Sequence, residues 1–360
     1  MRAGFILMVL GVLLLLLGGI PAVLRFILIQ VLNMNIQVPT SILDTQLFYG
    51  HWFLMVYGFF MLLIGNEILI ALSREWSGKI ASNAYILCFG VTITLATLLY
   101  DFLRLNLIPF ILEIIGLLIL FKYSRIYLIP SRIGLRPMLY NYLIVSTLII
   151  TIFVIIFQIF YRIPQLSIIF PTAMIFAVMS RDVGLVLGGK VINQKGMSIA
   201  YIFLVIGILF HPFNFYLTSF FLILAWSVSV HVTKIYTSQG ILYSKIHLAT
   251  AWIWLLVSAI LSWNYDAYIH TITIGFLFNT IFGVDVVLID LLLGILERSR
   301  LIIKRSYIPY VLINMGTIMR VAYDLNLRSP LLLLATPLQG TGILSFYFLM
   351  FSQIFSQIRR

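Results

Sequence analysis

His51 and His270 are the residues whose type and placement most directly suggest chemistry. Each lies near the start of a long apolar segment, His51 within residues 46–73 and His270 within residues 266–293. At 1.5 Å of rise per residue, His51 falls about 8 Å and His270 about 6 Å along its helix. Two imidazoles at one depth on different helices can reach a single iron from opposite faces, as bis-histidine ligation of haem requires. Met55 shares a helix face with His51, and the small residue in Gly58-Phe59, about a turn further in, would admit a flat macrocycle. Two unrelated histidines hydrogen-bonded inside a bundle would leave the same pattern. Ionisable residues at membrane depth are functional candidates by default.

Other polar residues fall into two levels. Arg320, and Arg328 after it, stand near the outer end of an apolar segment at 307–324. Guanidinium forks pair bidentately with carboxylates, so these two would hold haem propionates, or else simply snorkel to the interface. Toward the opposite end come Glu67, His231, His247, Asp285 and Asp290. Carboxylates and histidines at one level would pass protons or hold a cation, or be satisfied polar packing. Glu113 stands alone in mid-segment, to be hydrogen-bonded or protonated. Arg181-Asp182 suits a local ion pair, and His211, just before Pro212, is a turn residue and a reserve ligand. Cys88 is the one cysteine, so no intrachain disulfide can form, and no C-x-x-C-H attaches a haem covalently. The haem implied is therefore a non-covalent haem b. No Ser-His-Asp arrangement, phosphate loop or H-E-x-x-H occurs.

The elements that must position these residues are membrane helices. The chain is 62% hydrophobic and 9% charged, with a mean hydropathy of +1.12. Soluble domains carry about 25% charged residues. Apolar stretches place twelve spans at 4–32, 46–73, 80–100, 105–121, 138–161, 163–188, 197–211, 212–233, 243–263, 266–293, 307–324 and 330–355. The sixth holds Pro164, Pro171 and Gly184 and is expected to bend. The first resembles a signal peptide at its start, but its apolar run continues through Leu32, and we read it as a retained span. With residue 1 inside, eighteen of the 23 cations fall at cytoplasmic ends and three outside (Arg104, Arg162 and Arg328), with Arg25 and Arg320 inside spans. The cytoplasmic set runs from Arg2 through Arg132, Lys190, Arg298, Arg300, Lys304 and Arg305 to Arg359 and Arg360. That segregation follows the positive-inside rule. Asp44, Asp101, Asp266 and Asp324 fall outside. Trp263, Tyr49 and Tyr100 mark the outer interface and Trp76, Tyr123 and Tyr127 the inner one. The expectation is an all-α polytopic protein, a single membrane domain over residues 1–360, with both termini cytoplasmic and the plasma membrane as its site. A weak echo between His51…Gly58…Gly65…Glu67 and His270…Gly275…Gly283…Asp285 suits either a 6+6 duplication or close helix packing at small residues. The net charge of +12 sits at span ends, not in a basic block with interleaved aromatics, which excludes nucleic-acid binding.

The His51-x-x-x-Met55 stretch, Ile64-Gly65-Asn66 and a histidine on span ten of twelve resemble subunit I of the haem–copper oxidases. The stretch His51-Trp52-Phe53-Leu54-Met55-Val56-Tyr57-Gly58-Phe59 is also similar to the H-x-H-E-M-x-x-G-F signature of the NnrS family, haem- and copper-containing membrane proteins of nitric oxide metabolism. Phe53 and Leu54 replace the second histidine and the glutamate of that signature. The resemblance implies an oxidase-like bundle, a low-spin haem on His51 and His270, and arginines between spans eleven and twelve at its propionates. It implies no oxygen-reducing copper site, because span six has no histidine and Tyr268 stands where the oxidases have a second span-ten histidine. Electron transfer or nitric oxide handling would follow, with the lipid bilayer, a redox protein or a quinone as partners. A cofactor-free secondary transporter is the alternative, suited by twelve spans, a proline-broken sixth and midplane carboxylates. A membrane anchor subunit of a redox complex is a third.

Overall fold

In lipid, a segment apolar on all sides satisfies its backbone only by bonding to itself along a helix. The computed structural model describes residues 2–35, 50–131, 133–187, 192–285, 307–327 and 330–358, and every regular element among them is helical. Asp44, Tyr49, Arg132, Lys190, Asp290, Arg298, Arg300, Lys304, Arg305, Arg328, Arg359 and Arg360 lie outside the described residues.

The helices follow the apolar segments in order. They are α1 (Arg2–Asn35), α2 (His51–Ser77), α3 (Asn83–Leu103), α4 (Leu107–Ser124), α5 (Leu139–Tyr161) and α6 (Ile169–Val186). Then come α7 (Gln194–Phe210), α8 (Phe215–Thr233), α9 (Leu242–Ile260), α10 (Tyr265–Asp285), α11 (Tyr307–Asp324) and α12 (Ala335–Ile358). Among the described residues ten helices are long and apolar enough to cross a membrane, fewer than the twelve expected. The two that fall short are α7, with 17 residues, and α11, which carries Arg320 and Asp324. The chain is an all-helical, multi-pass membrane protein.

Local chemistry sets the helix ends. Arg104, Arg162 and Lys234 adopt left-handed backbone (φ 51°, 50° and 45°) and close α3, α5 and α8. Glycine usually fills that position, but a cation there also complements the negative end of the helix dipole. Asn193, Asn214 and Asn264 cap α7, α8 and α10 by accepting backbone N–H groups of Gly196, Leu217 and Ala267. Pro164 opens a 3₁₀ turn and Pro171 lies in the first turn of α6, so both start the helix. The missing N–H of Pro164 costs nothing at such a start.

The chain divides into two compact units, residues 1–177 and 178–360. In the first, α1 lies against α2 at Gly11 and Gly18, and α3 meets α2 where Thr97 reaches Gly58. Small residues at such crossings let helices approach closely and gain dispersion contacts. In the second, the Trp254 ring of α9 covers Gly275 of α10, and Gly316 and Gly342 bring α11 against α12. Phe153, Phe160, Tyr216 and Phe348 are exposed large apolar side chains of the kind a bilayer covers. Trp263 is exposed, but Trp76 and Tyr127 are buried, their polar atoms donated to the Ile126 and Ile68 carbonyls.

Candidate functional site

His51 opens α2 rather than lying a turn below its start. The Gly50 N–H is held by the carboxylate of Asp101, which occupies the space a side chain at residue 50 would need. His51 Nδ1 contacts the Gly18 carbonyl of α1 at 2.9 Å. Gly18 also makes room for Met55: a Cβ built there would lie 2.6 Å from Met55 Cε. One residue of α1 therefore orients both the histidine and the methionine of the motif. The space expected at Gly58 is not open, because Leu14 and Thr97 side-chain carbons would lie 3.0 Å from an added Cβ. Helix packing fills it. Immediately after His51, Leu54–Phe60 form π-helical turns, and Glu67–Ala71 do so again, a geometry frequent at functional sites. Gly18→Leu is expected to push Met55 off α1 and cost about 1–3 kcal/mol, as overpacking does. A thermal midpoint in detergent unchanged from the parent protein would contradict this contact.

His270 belongs to the second unit. Its Nδ1 lies 2.7 Å from the Asp266 carbonyl of its own helix and 4.0 Å from Asp324 Oδ2. Arg320 Nε donates to Asp324, at 3.0 and 3.1 Å from its two oxygens, and Asn264 Nδ2 donates to the Asp324 carbonyl at 2.9 Å. Arg320, expected to serve a propionate, thus already has a carboxylate partner in its own helix. Thr271–Phe278 directly follow as π-helical turns. His211 lies at the turn between α7 and α8; its ring stacks on Tyr268 at 3.9 Å and Nε2 contacts the Ser262 carbonyl at 3.2 Å. Burial holds the His211 imidazole below its ordinary range, opposed by that carbonyl contact.

His231 is exposed on α8, whereas His247 on α9 is fully buried. Glu67 is half-buried in the first unit. Asp285, the last described residue of α10, lies within electrostatic reach of Asp182, which is buried, and of Tyr347. Among the described residues no three His, Cys, Asp or Glu side chains gather as metal ligands would. His247 instead heads a network with no charged member. Its Nδ1 lies 3.2 Å from Asn279 Oδ1, and Asn279 and Asn314 exchange amide hydrogen bonds at 3.0 and 3.1 Å. Trp254 Nε1 donates to Asn314 Oδ1 at 2.7 Å. Since Asn279 Oδ1 accepts, His247 carries its proton on Nδ1, and Nε2 is left a buried acceptor without a partner.

Glu113 is fully buried in α4, and neither carboxyl oxygen has a hydrogen-bond partner. It is close enough to Tyr57 to act on it electrostatically. Tyr57 donates its hydroxyl to Gln158 Oε1 at 2.7 Å, and Gln158 Nε2 donates to the Ile163 carbonyl at 3.0 Å. An unsatisfied buried carboxyl costs about 1–3 kcal/mol. Glu113→Leu is therefore expected to raise the thermal midpoint; a fall would show that the carboxyl has a stabilising role. Tyr57, Gln158, Asn279, Asn314 and Trp254 were not singled out by sequence. Among them only the asparagines and the glutamine carried a signal, as uncharged amides inside apolar spans.

No family model, curated protein or solved structure matches the chain.

Proposed function

We propose that this chain is a membrane haem protein of the kind represented by the NnrS family and haem–copper oxidase subunit I. In this reading it crosses the plasma membrane twelve times with both termini cytoplasmic, α7 and α11 completing the ten longer spans. His51 and His270 are the axial ligands of one haem b. The observation that carries it is the same at both histidines: Nδ1 rests on a backbone carbonyl, at Gly18 for His51 and at Asp266 for His270. Metal-bound histidines almost always engage their other nitrogen this way, which fixes the tautomer and raises ligand basicity. Nε2 is then the nitrogen an iron would take.

Donor chemistry therefore fits the group, while Gly58 does not supply its space. Bound haem would supply a one-electron couple and, only if one of the two histidines left the iron, a coordination position for a diatomic gas. The chain's own residues orient the imidazoles and, at Asp324, place a negative charge near His270 Nδ1. Arg320 would share its guanidinium between Asp324 and a propionate, and Arg328 would take the second. Electron transfer with an outer redox protein or quinone, or nitric oxide handling, is the task, without copper. Haem extracted and quantified from detergent-purified protein, with the histidine variants discussed below, tests it.

A secondary transporter is favoured by one observation, the orphaned carboxyl of Glu113 in mid-helix. Proton-coupled uptake into vesicles, abolished by Glu113→Gln in a haem-free protein, would select it.

A further inference from the structure

A cavity of about 300 Å³ opens in the first unit and is lined by Trp52, the residue that follows His51. Trp52, Tyr100 and Phe110 form its ring-bearing wall, and Gln158, Asn106 and Arg162 line it as well. Trp52 meets Tyr100 edge to face at 5.6 Å, and Tyr100 meets Phe110 so at 6.2 Å. The wall thus offers ring faces and edges to a planar guest, the arrangement in which aromatic pairs gain most. Trp52, Gln158, Asn106 and Arg162 carry N–H donors, and no carboxylate is among the lining residues. Gln158 uses one amide hydrogen on Ile163 and its oxygen on Tyr57, so its second amide hydrogen remains for a guest. Behind it stands the buried carboxyl of Glu113, beside Tyr57.

An apolar, ring-lined cavity with N–H donors and no carboxylate fits an uncharged planar ring bearing carbonyl oxygens. A cation would meet Arg162, and a purely hydrocarbon guest would leave the second amide hydrogen of Gln158 unused. The exposed apolar surface next to it, Leu107, Phe160 and Tyr161, would let a lipid-soluble tail run into the bilayer. We infer that this cavity binds the headgroup of a membrane quinone, with its ring against Trp52, Tyr100 and Phe110 and a carbonyl on Gln158 or Arg162. Trp52 directly follows His51, so on the haem reading above, on which the redox meaning of this site rests, the quinone is the partner at that ligand. Binding itself does not depend on haem.

The test is titration of the purified full-length protein with a short-chain benzoquinone, read by tryptophan fluorescence quenching, beside chromatographic assay of co-purified isoprenoid quinone. Saturable quenching is expected, weakened roughly tenfold by Gln158→Leu and by Arg162→Gln, since losing one hydrogen bond to the guest, buried at Gln158 and charge-assisted at Arg162, is worth about a factor of ten. Trp52→Phe should remove most of the quenching. Gln158→Leu also disturbs Tyr57, so Arg162→Gln, at the exposed mouth, is the variant that preserves the fold. Quenching unaltered by Arg162→Gln and Trp52→Phe, or retention of phospholipid with no quinone binding, would overturn the inference. Haem content is measured on the same samples: quinone binding without haem sinks the haem reading alone, and haem without quinone binding sinks this one alone.

Discussion

His51→Ala and His270→Ala each reduce haem content at least about tenfold while leaving a folded, monodisperse protein, since a lost ligand exceeds the 10–100-fold effects of outer-shell changes. The two substitutions act in different units. His211→Ala and His247→Ala are the controls. His211 is engaged by Tyr268 and Ser262, and His247 by Asn279, so neither change should remove haem. Loss of haem in all four variants would point to general destabilisation. Loss only with His247→Ala would move the ligand to the buried Nε2 of that residue.

Asn314→Leu should be the most destabilising single change in the second unit. Asn314 Oδ1 accepts from both Trp254 Nε1 and Asn279 Nδ2, and its own amide donates to Asn279 and to the Tyr310 carbonyl. Leucine removes every one of these contacts and orphans the Trp254 indole and part of Asn279 in an apolar interior. Each orphaned buried group costs about 1–3 kcal/mol, so a total of roughly 2–5 kcal/mol follows, less whatever the neighbours re-pair among themselves. Asn279→Leu should cost a similar amount and also release His247 Nδ1. A double variant losing no more than either single one would mark the network as one coupled unit. Thermal unfolding in detergent reads all three, and an unchanged midpoint for Asn314→Leu would contradict the network.

The helices themselves were legible because span length and apolarity are one-dimensional properties. Segments such as 138–161 and 243–263 correspond to α5 and α9 within a few residues. What faces what was not legible. A soluble helix announces its buried side by a polar stripe, but a membrane helix is apolar on every side, so His231 and His247 read alike although one is exposed and the other buried. Trp254 and Asn314 are 60 residues apart, and their contact depends on the rotation of α9 and α11. The same holds for Tyr57 and Gln158, 101 residues apart. Gly58 was misread for a related reason: a small residue marks close approach, but sequence does not say whether a cofactor or another helix approaches. The Nδ1 anchors were equally hidden, since backbone carbonyls have no side-chain identity to read.

The most direct measurement is a pair of absorption spectra, oxidised and dithionite-reduced, of the full-length protein in mild detergent, with haem determined per chain. A sharp reduced spectrum of b type, with about one haem per chain and both axial positions held by nitrogen, is the result predicted. A well-folded protein without a haem spectrum, even after reconstitution with haemin, would contradict ligation by His51 and His270.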